Sequence, residues 1–455
     1  MSTRFRRGLL ASVLGAVLAI GSLAAQSGAP MVVLITIDGF AAYHLQNPAI
    51  DLPVIRDLAS SGARADSSET IFPSVTHPSH TTIVTGVSPR RHGVLNNRVV
   101  DRRTGERFHV TNRPHGEMVK APTIFDAAHR KGLLTAAFFW PETKDDPAVS
   151  INFPEVFAAD HVADAGAVPR ALLQELRTAG VPIDDFFRYY EDPFLHGTCD
   201  YVLAQAAAHA IVTRRPALTA IHFLMTDVVQ HLVGPAHYRS LAALSAADRA
   251  VGVLVDAVRK AHLEQEVTFI VAADHGFATV DRQMNVAPLF GDPALKDKIA
   301  MYPQGWTLSI ELTPSFDRAT DQPALDRALD AASKTAGIAR VLRPEDFHAL
   351  GLPTYDESPY VRGQYMLVAD IDTHLVVQPG NPSSAKVPMA PEHEHGYLPT
   401  DPKMYPALVL SGRGIRKGAR IGHVRNVDIA PTIARLLGLD LPDVQGQPLE
   451  AALQP

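Results

Sequence analysis

Three uninterrupted apolar runs punctuate the chain, and each leads into an aspartate. Met31-Val-Val-Leu-Ile-Thr-Ile37 stops at Asp38-Gly39, Ala217–Met225 gives way to Asp227, and Val267–Ala273 stops at Asp274-His275-Gly276. Apolar runs without alternation are the pattern of strands buried on both faces, as in a parallel sheet. Between them the period lengthens. Residues 48–65 carry Ile50, Leu52, Ile55 and Leu58 at helical spacing, with Gly62 where a helix would end. Further along, 124–132 reads as a helix running into a strand at Leu134–Trp140, which Pro141 closes. Helices are expected at 169–179 and 198–212, a strand at Ala407–Ser411, and a capped amphipathic helix over 426–439.

Strands alternating with helices predict an α/β fold built on a mostly parallel sheet flanked by helices. In such open sheets ligands bind beyond the carboxyl ends of the strands, which is where the three aspartates fall. The span 286–380 breaks the pattern, with strands expected at Trp306–Leu312 and 364–370 and a helix over 321–335. It reads as a small α+β insertion or cap, dividing a catalytic domain into residues 31–285 and 381–455.

Composition adds bounds. The 455 residues are 46% hydrophobic and 20% charged, which suits a globular chain and excludes general disorder. Met1–Ala25 reads as a signal peptide, with Arg4, Arg6 and Arg7 before an apolar stretch and Ser22-Leu-Ala-Ala25 as a cleavage zone. Periplasmic or secreted location follows as the expectation. The apolar stretch is short and early for a membrane span, so none is expected in the mature chain, with an uncleaved membrane anchor as the alternative. The formal net charge of -6 becomes more negative when that basic segment is removed, which argues against a nucleic-acid-binding surface. A lone cysteine, Cys199, cannot form an internal disulfide and reads as a buried apolar residue.

The candidate chemistry centres on Phe72-Pro-Ser-Val-Thr76-His-Pro-Ser-His80 and the run that follows to Asn96-Asn97. Thr76 stands in a Pro-bounded turn before Thr81–Thr85, a run that could continue as a helix with free N–H groups aimed back at the hydroxyl. A threonine is a poor nucleophile at neutral pH without a base or a metal. The strand ends offer the metal. Asp38, Asp227, Asp274 and His275 gather there, and His231 lies four residues after Asp227, on the same face of a helical turn. A histidine from Glu392-His393-Glu394-His395, either His393 or His395, completes three carboxylates and three imidazoles. That set suffices for two Zn2+ ions with positions left open for substrate. A zinc pair about 3.5–4 Å apart would activate Thr76 and polarise the leaving oxygen of a phosphoryl group. Asn96 or Asn97 could donate to a non-bridging phosphoryl oxygen together with the backbone N–H of Thr76.

Taken in order, Asp38, the Phe72–Asn97 stretch, Phe138-Phe-Trp-Pro-Glu142, Asp227-Val-Val-Gln-His231, Asp274-His275-Gly276 and His395-Gly-Tyr resemble the nucleotide pyrophosphatase/phosphodiesterase branch of the alkaline phosphatase superfamily. The resemblance implies an alkaline-phosphatase-like fold, two zinc ions and a covalent phospho-threonine intermediate. It assigns one zinc to Asp227, His231 and His395, and the other to Asp38, Asp274, His275 and the nucleophile Thr76. Asn97 takes the phosphate-positioning role, and a small-molecule phosphodiester or nucleotide is the implied substrate. Where the family often has Phe after the nucleophile, as one wall of a nucleobase slot, this chain has His77; Ser79 stands where Asn is common, and Leu224-Met-Thr226 replaces a carboxylate-rich approach to Asp227. Phosphonate hydrolysis is the alternative chemistry for the same ligands, and a non-catalytic metal-binding relative the alternative of a different class.

Overall fold

The computed structural model describes residues 28–156, 166–186, 188 and 196–455. The expected signal segment, Met1–Ala25, lies outside the described residues. The main sheet has eight strands, in the order Ala419–Arg420, Ala63–Arg64, Leu408–Gly412, Val267–Ala272, Met31–Ile37, Leu218–Phe223, Thr135–Phe138 and Ile151–Phe153. Pairing is parallel from Val267–Ala272 through to Ile151–Phe153, whereas Leu408–Gly412 runs antiparallel to its neighbours.

Met31–Ile37 lies inside this parallel set, between Val267–Ala272 and Leu218–Phe223. Its residues alternate between two cores: Val33, Ile35 and Ile37 face one cluster, Val32 and Leu34 the other. An unbroken β-branched run therefore satisfies both layers at once. On one face the long helices His196–Arg214 and Tyr238–Lys260 pack together, with Cys199 buried among their aliphatic side chains. On the other lie Ile124–Arg130 and Ile429–Leu437, and Thr76–Thr85 packs against the latter.

Register then fixes the site. Ile37 pairs with Phe223 and Thr36 with Ala272, so three strands release the chain at one edge of the sheet. A second layer carries a three-stranded sheet, Thr373–Val376, Ala278–Asn285 and Lys386–Glu394, and a four-stranded sheet of Ile299–Pro303, Thr307–Leu312, Tyr365–Ala369 and Ile338–Leu342. Helix Gln322–Ala332 shares its core. Pairing in this layer begins at Ala278 and returns at Glu394, so it flanks the 286–380 span on both sides. The return strand delivers His395 to the edge where the aspartates emerge.

Candidate metal centre

Asp38 follows its strand directly and Asp274 follows its own with Ala273 between, and Asp227 and His231 share helix Met225–Val233 one turn apart. The structure brings these four together with His275 and His395. The Asp227 Oδ1 atom lies 3.5 Å from His231 Nε2 and 3.5 Å from His395 Nε2. His275 Nε2 lies 3.3 Å from Asp38 Oδ1 and 3.3 Å from Asp274 Oδ2. Two overlapping groups result, Asp227-His231-His395 and Asp38-Asp227-His275, each with ligand atoms close enough to share an ion.

The direction of each imidazole is set by the main chain. His231, His275 and His395 place Nδ1 at 2.7, 2.9 and 3.0 Å from the carbonyls of His393, Gly276 and Ser74. A carbonyl only accepts, so Nδ1 carries the proton and Nε2 presents a lone pair toward the carboxylates. The carboxylates are anchored in a matching way. Asp274 Oδ1 accepts from the N–H groups of Gly39 (3.1 Å) and His275 (3.0 Å), and Asp38 Oδ2 from His222 Nε2 (3.1 Å). Left buried without a partner are Asp38 Oδ1, Asp227 Oδ1, Asp274 Oδ2 and His275 Nε2. Acceptors thus face acceptors at buried atoms, an arrangement that a cation resolves, and nitrogen with carboxylate oxygen is a donor set that zinc takes. The residues present fit the metal that the sequence suggests.

Protonation equilibria report the same crowding. Burial, then the charges of Asp274 and Asp227, push Asp38 well above the usual carboxylate range. Burial also raises Asp227. His395 is held well below its ordinary value by burial and by its neighbours His275 and His231. Its ring stacks on His275 with centroids 3.7 Å apart. His393 supplies its carbonyl to His231 while its own ring meets Thr279 Oγ1 at 3.1 Å.

Thr76 is itself the first residue of a ten-residue helix, Thr76–Thr85, one turn earlier than the Thr81 run suggests. Every residue of that helix is buried, and Gly86 ends it in the left-handed region at φ 68°. The segment is tied to the ligand cluster at two points. Ser74 holds His395 through its carbonyl and accepts from Gly396 N–H at 3.1 Å. His80 donates from Nδ1 to the Thr76 carbonyl (2.9 Å) and bonds Thr36 through Nε2 (2.8 Å).

The two asparagines separate. Asn96 Oδ1 closes a local turn on Asn97 N–H at 2.8 Å, while Asn97 Oδ1 reaches across to accept from His77 N–H at 2.9 Å. One free N–H at the helix start is therefore already occupied. The His77 ring turns inward, its Nδ1 2.5 Å from Glu142 Oε1, and Thr81 donates to Glu142 Oε2 at 3.2 Å. Burial lowers His77 to about 3 and raises Glu142 to about 8, so the pair is neutral in between.

His222 and Glu155 are absent from the reading of the sequence. His222 sits inside the Leu218–Phe223 strand, with Nε2 on Asp38 and Nδ1 3.9 Å from Glu155 Oε2. The available signal is an imidazole within an otherwise apolar, fully buried run.

The profile of the family described as Type I phosphodiesterase / nucleotide pyrophosphatase matches residues 32–397. A mouse relative, ectonucleotide pyrophosphatase/phosphodiesterase family member 3, is 26% identical over 249 residues, 54% of this chain and 25% of its own length. The chain thus spans about a quarter of that relative. The bis(5'-adenosyl)-triphosphatase of Xenopus laevis is 23% identical over 430 residues, covering 94% of this chain and 81% of that protein. Among solved structures, human ectonucleotide pyrophosphatase/phosphodiesterase 5 superposes with a TM-score of 0.68 at 18% identity, covering 93% of this chain and 100% of that one. Its murine counterpart, solved as an inactive variant in complex with AMP, gives 0.66. Both show the same α/β fold, and the profile match over most of the chain, with the ligand cluster at the sheet edge, places this protein in the type I phosphodiesterase / nucleotide pyrophosphatase family.

Proposed function

We propose that this chain hydrolyses phosphodiester or pyrophosphate bonds in small molecules of the nucleotide type, with two zinc ions and a phospho-threonine intermediate. The observation that carries the reading is the set of unpartnered, buried ligand atoms on Asp38, Asp227, Asp274 and His275, tied to the segment bearing Thr76. Asp227, His231 and His395 would hold one ion, and Asp38, Asp274 and His275, with Thr76, the other. When bound, the ions supply positive charge that favours an ionised threonine oxygen and a departing oxyanion. The rest is done by the chain. Thr76 Oγ attacks phosphorus from a helix start whose N–H groups favour an anion. Asn97, its Oδ1 committed to His77 N–H, offers its amide NH2 to a non-bridging oxygen. Water then releases the phosphoryl group from Thr76.

The test is Thr76→Ala assayed on bis(4-nitrophenyl) phosphate. Turnover should fall by about a hundredfold or more while zinc content, measured by mass spectrometry of the metal, stays within error. Wild-type rates in the variant, or a wild-type preference for aryl monoesters over diesters, would defeat the proposal.

A further inference from the structure

A cavity of about 380 Å3 opens between the second layer and the Arg98–Val100/Arg107–His109 hairpin. Its lining includes Arg98, Arg107 and Arg362 but no aspartate or glutamate. That is unusual in a chain with a formal net charge of -6. Among the described residues, no ion pair joins any of the three guanidinium groups to a carboxylate. Arg362 instead lies over the Tyr302 ring at 3.9 Å, and Trp306 and Tyr360 extend the aromatic wall. Guanidinium groups without a carboxylate partner beside aromatic faces suit an anion carried on a planar ring.

The cavity also touches three segments of the candidate site. Phe72 and Pro73 lead into Thr76, and Asn96 precedes Asn97. Trp306 packs so closely on Gly396, next to His395, that a Cβ there would meet the indole at 2.6 Å. Gly396 adopts φ +101°, so both space and backbone favour glycine beneath the tryptophan.

We infer that this cavity receives the leaving portion of the substrate, and that this portion is a nucleotide: an aromatic base joined to a phosphate-bearing sugar. The inference rests on the proposed phosphodiester or pyrophosphate chemistry. Attack would form the Thr76 Oγ–P bond and break the bond from phosphorus to the bridging oxygen. That oxygen keeps the electron pair and departs as the terminal phosphate of the leaving nucleotide, and the hydroxyl proton passes to solvent. The arginines neutralise the departing charge while the rings hold the base.

Three substrates separate the contributions on the zinc-loaded protein: diadenosine triphosphate, whose departing ADP has ring and phosphate; ATP, whose departing diphosphate has phosphate without a ring; and bis(4-nitrophenyl) phosphate, whose departing 4-nitrophenolate has a ring without phosphate. In Arg98→Gln/Arg362→Gln, the ratio of kcat/KM for diadenosine triphosphate to that for bis(4-nitrophenyl) phosphate should fall by about tenfold or more. ADP binding to Thr76→Ala protein, followed by calorimetry, should weaken in parallel when the two arginine changes are added. An unchanged ratio overturns the assignment, and if ADP binding still depends on the arginines, the cavity serves a free nucleotide instead. ADP binding that ignores both arginines also overturns it. Should Thr76→Ala leave hydrolysis intact, the proposed chemistry fails while the ADP titration still decides what the cavity binds.

Discussion

Two groups of buried acids and imidazoles lie within a few residues of each other in this fold, and they behave in opposite ways. Around Asp38, Asp227 and Asp274, backbone carbonyls take the Nδ1 proton of each histidine, so the lone pairs and the carboxylate oxygens meet with nothing between them. At His77 and Glu142 the acid meets Nδ1 directly, and Thr81 completes the second oxygen. The residue types are the same. What differs is whether a backbone carbonyl or the acid itself takes Nδ1, and that decides whether the cluster calls for a cation or closes on itself.

The sharpest break in this contrast is Asp227→Asn. Its Oδ1 stands between two imidazoles and belongs to both candidate groups. Loss of that charge should reduce phosphodiesterase turnover by about a thousandfold, with metal content falling at the same time. Full metal content with normal turnover would show that the two groups do not form one centre.

His222→Phe comes next. It removes the donor that fixes Asp38 Oδ2 without replacing a candidate ligand. Zinc affinity, read by competition with a chelator, should weaken about 10–100-fold, and His222→Gln should recover part of it by restoring an N–H. Equal affinities in all three proteins would mean that Asp38 is oriented by its backbone alone.

The closed pair gives smaller effects, on stability rather than chemistry. Glu142→Ala leaves the buried His77 Nδ1 without its partner and should cost about 1–3 kcal/mol in urea unfolding. The double change His77→Phe/Glu142→Leu should regain most of that, because replacing both partners by apolar groups removes the orphan. If the single and double changes cost the same, the pair is not a unit.

The least effect is in the pH dependence. Glu142 moves from 4.5 to about 8 on folding, so the folded state holds the extra proton and stability falls as pH rises across that window. His77 moves from 6.5 to about 3, so its contribution rises with pH up to 6.5 and then stops. Between pH 6.5 and about 8 the pair contributes only the Glu142 loss, alongside that of Asp200, which burial also raises to about 8. Glu142→Gln should make the fall of the unfolding midpoint shallower over that range, and a slope equal to that of the parent chain would assign the titration elsewhere.

How much of this was legible in the chain depends on the range of the interaction. Asp38 and Asp274 could be seen because an unbroken apolar run announces a strand buried on both faces, and the residue after it sits at the sheet edge. Asp227 and His231 could be seen because four residues make one helical turn. The α/β class followed from the same runs. His222 and Glu155 could not, since a polar residue inside a buried strand acquires its partner only through pairing with chain more than sixty residues away. Nor could the inward turn of His77, whose acid lies three strands further along, past Thr135–Phe138. The second layer was harder for another reason: Ala278–Asn285 mixes buried and exposed positions irregularly and shifts register near Val280, which blurs the period on which strand recognition depends.

The three carbonyls that orient the ligand histidines belong to His393, Gly276 and Ser74, and a peptide oxygen survives every side-chain replacement. Neighbouring side chains are therefore free to drift without rotating the imidazoles. Such a scaffold separates two kinds of change: walls, loops and even the residue beside Thr76 can be exchanged to suit new substrates, while the orientation of the histidines is inherited with the backbone.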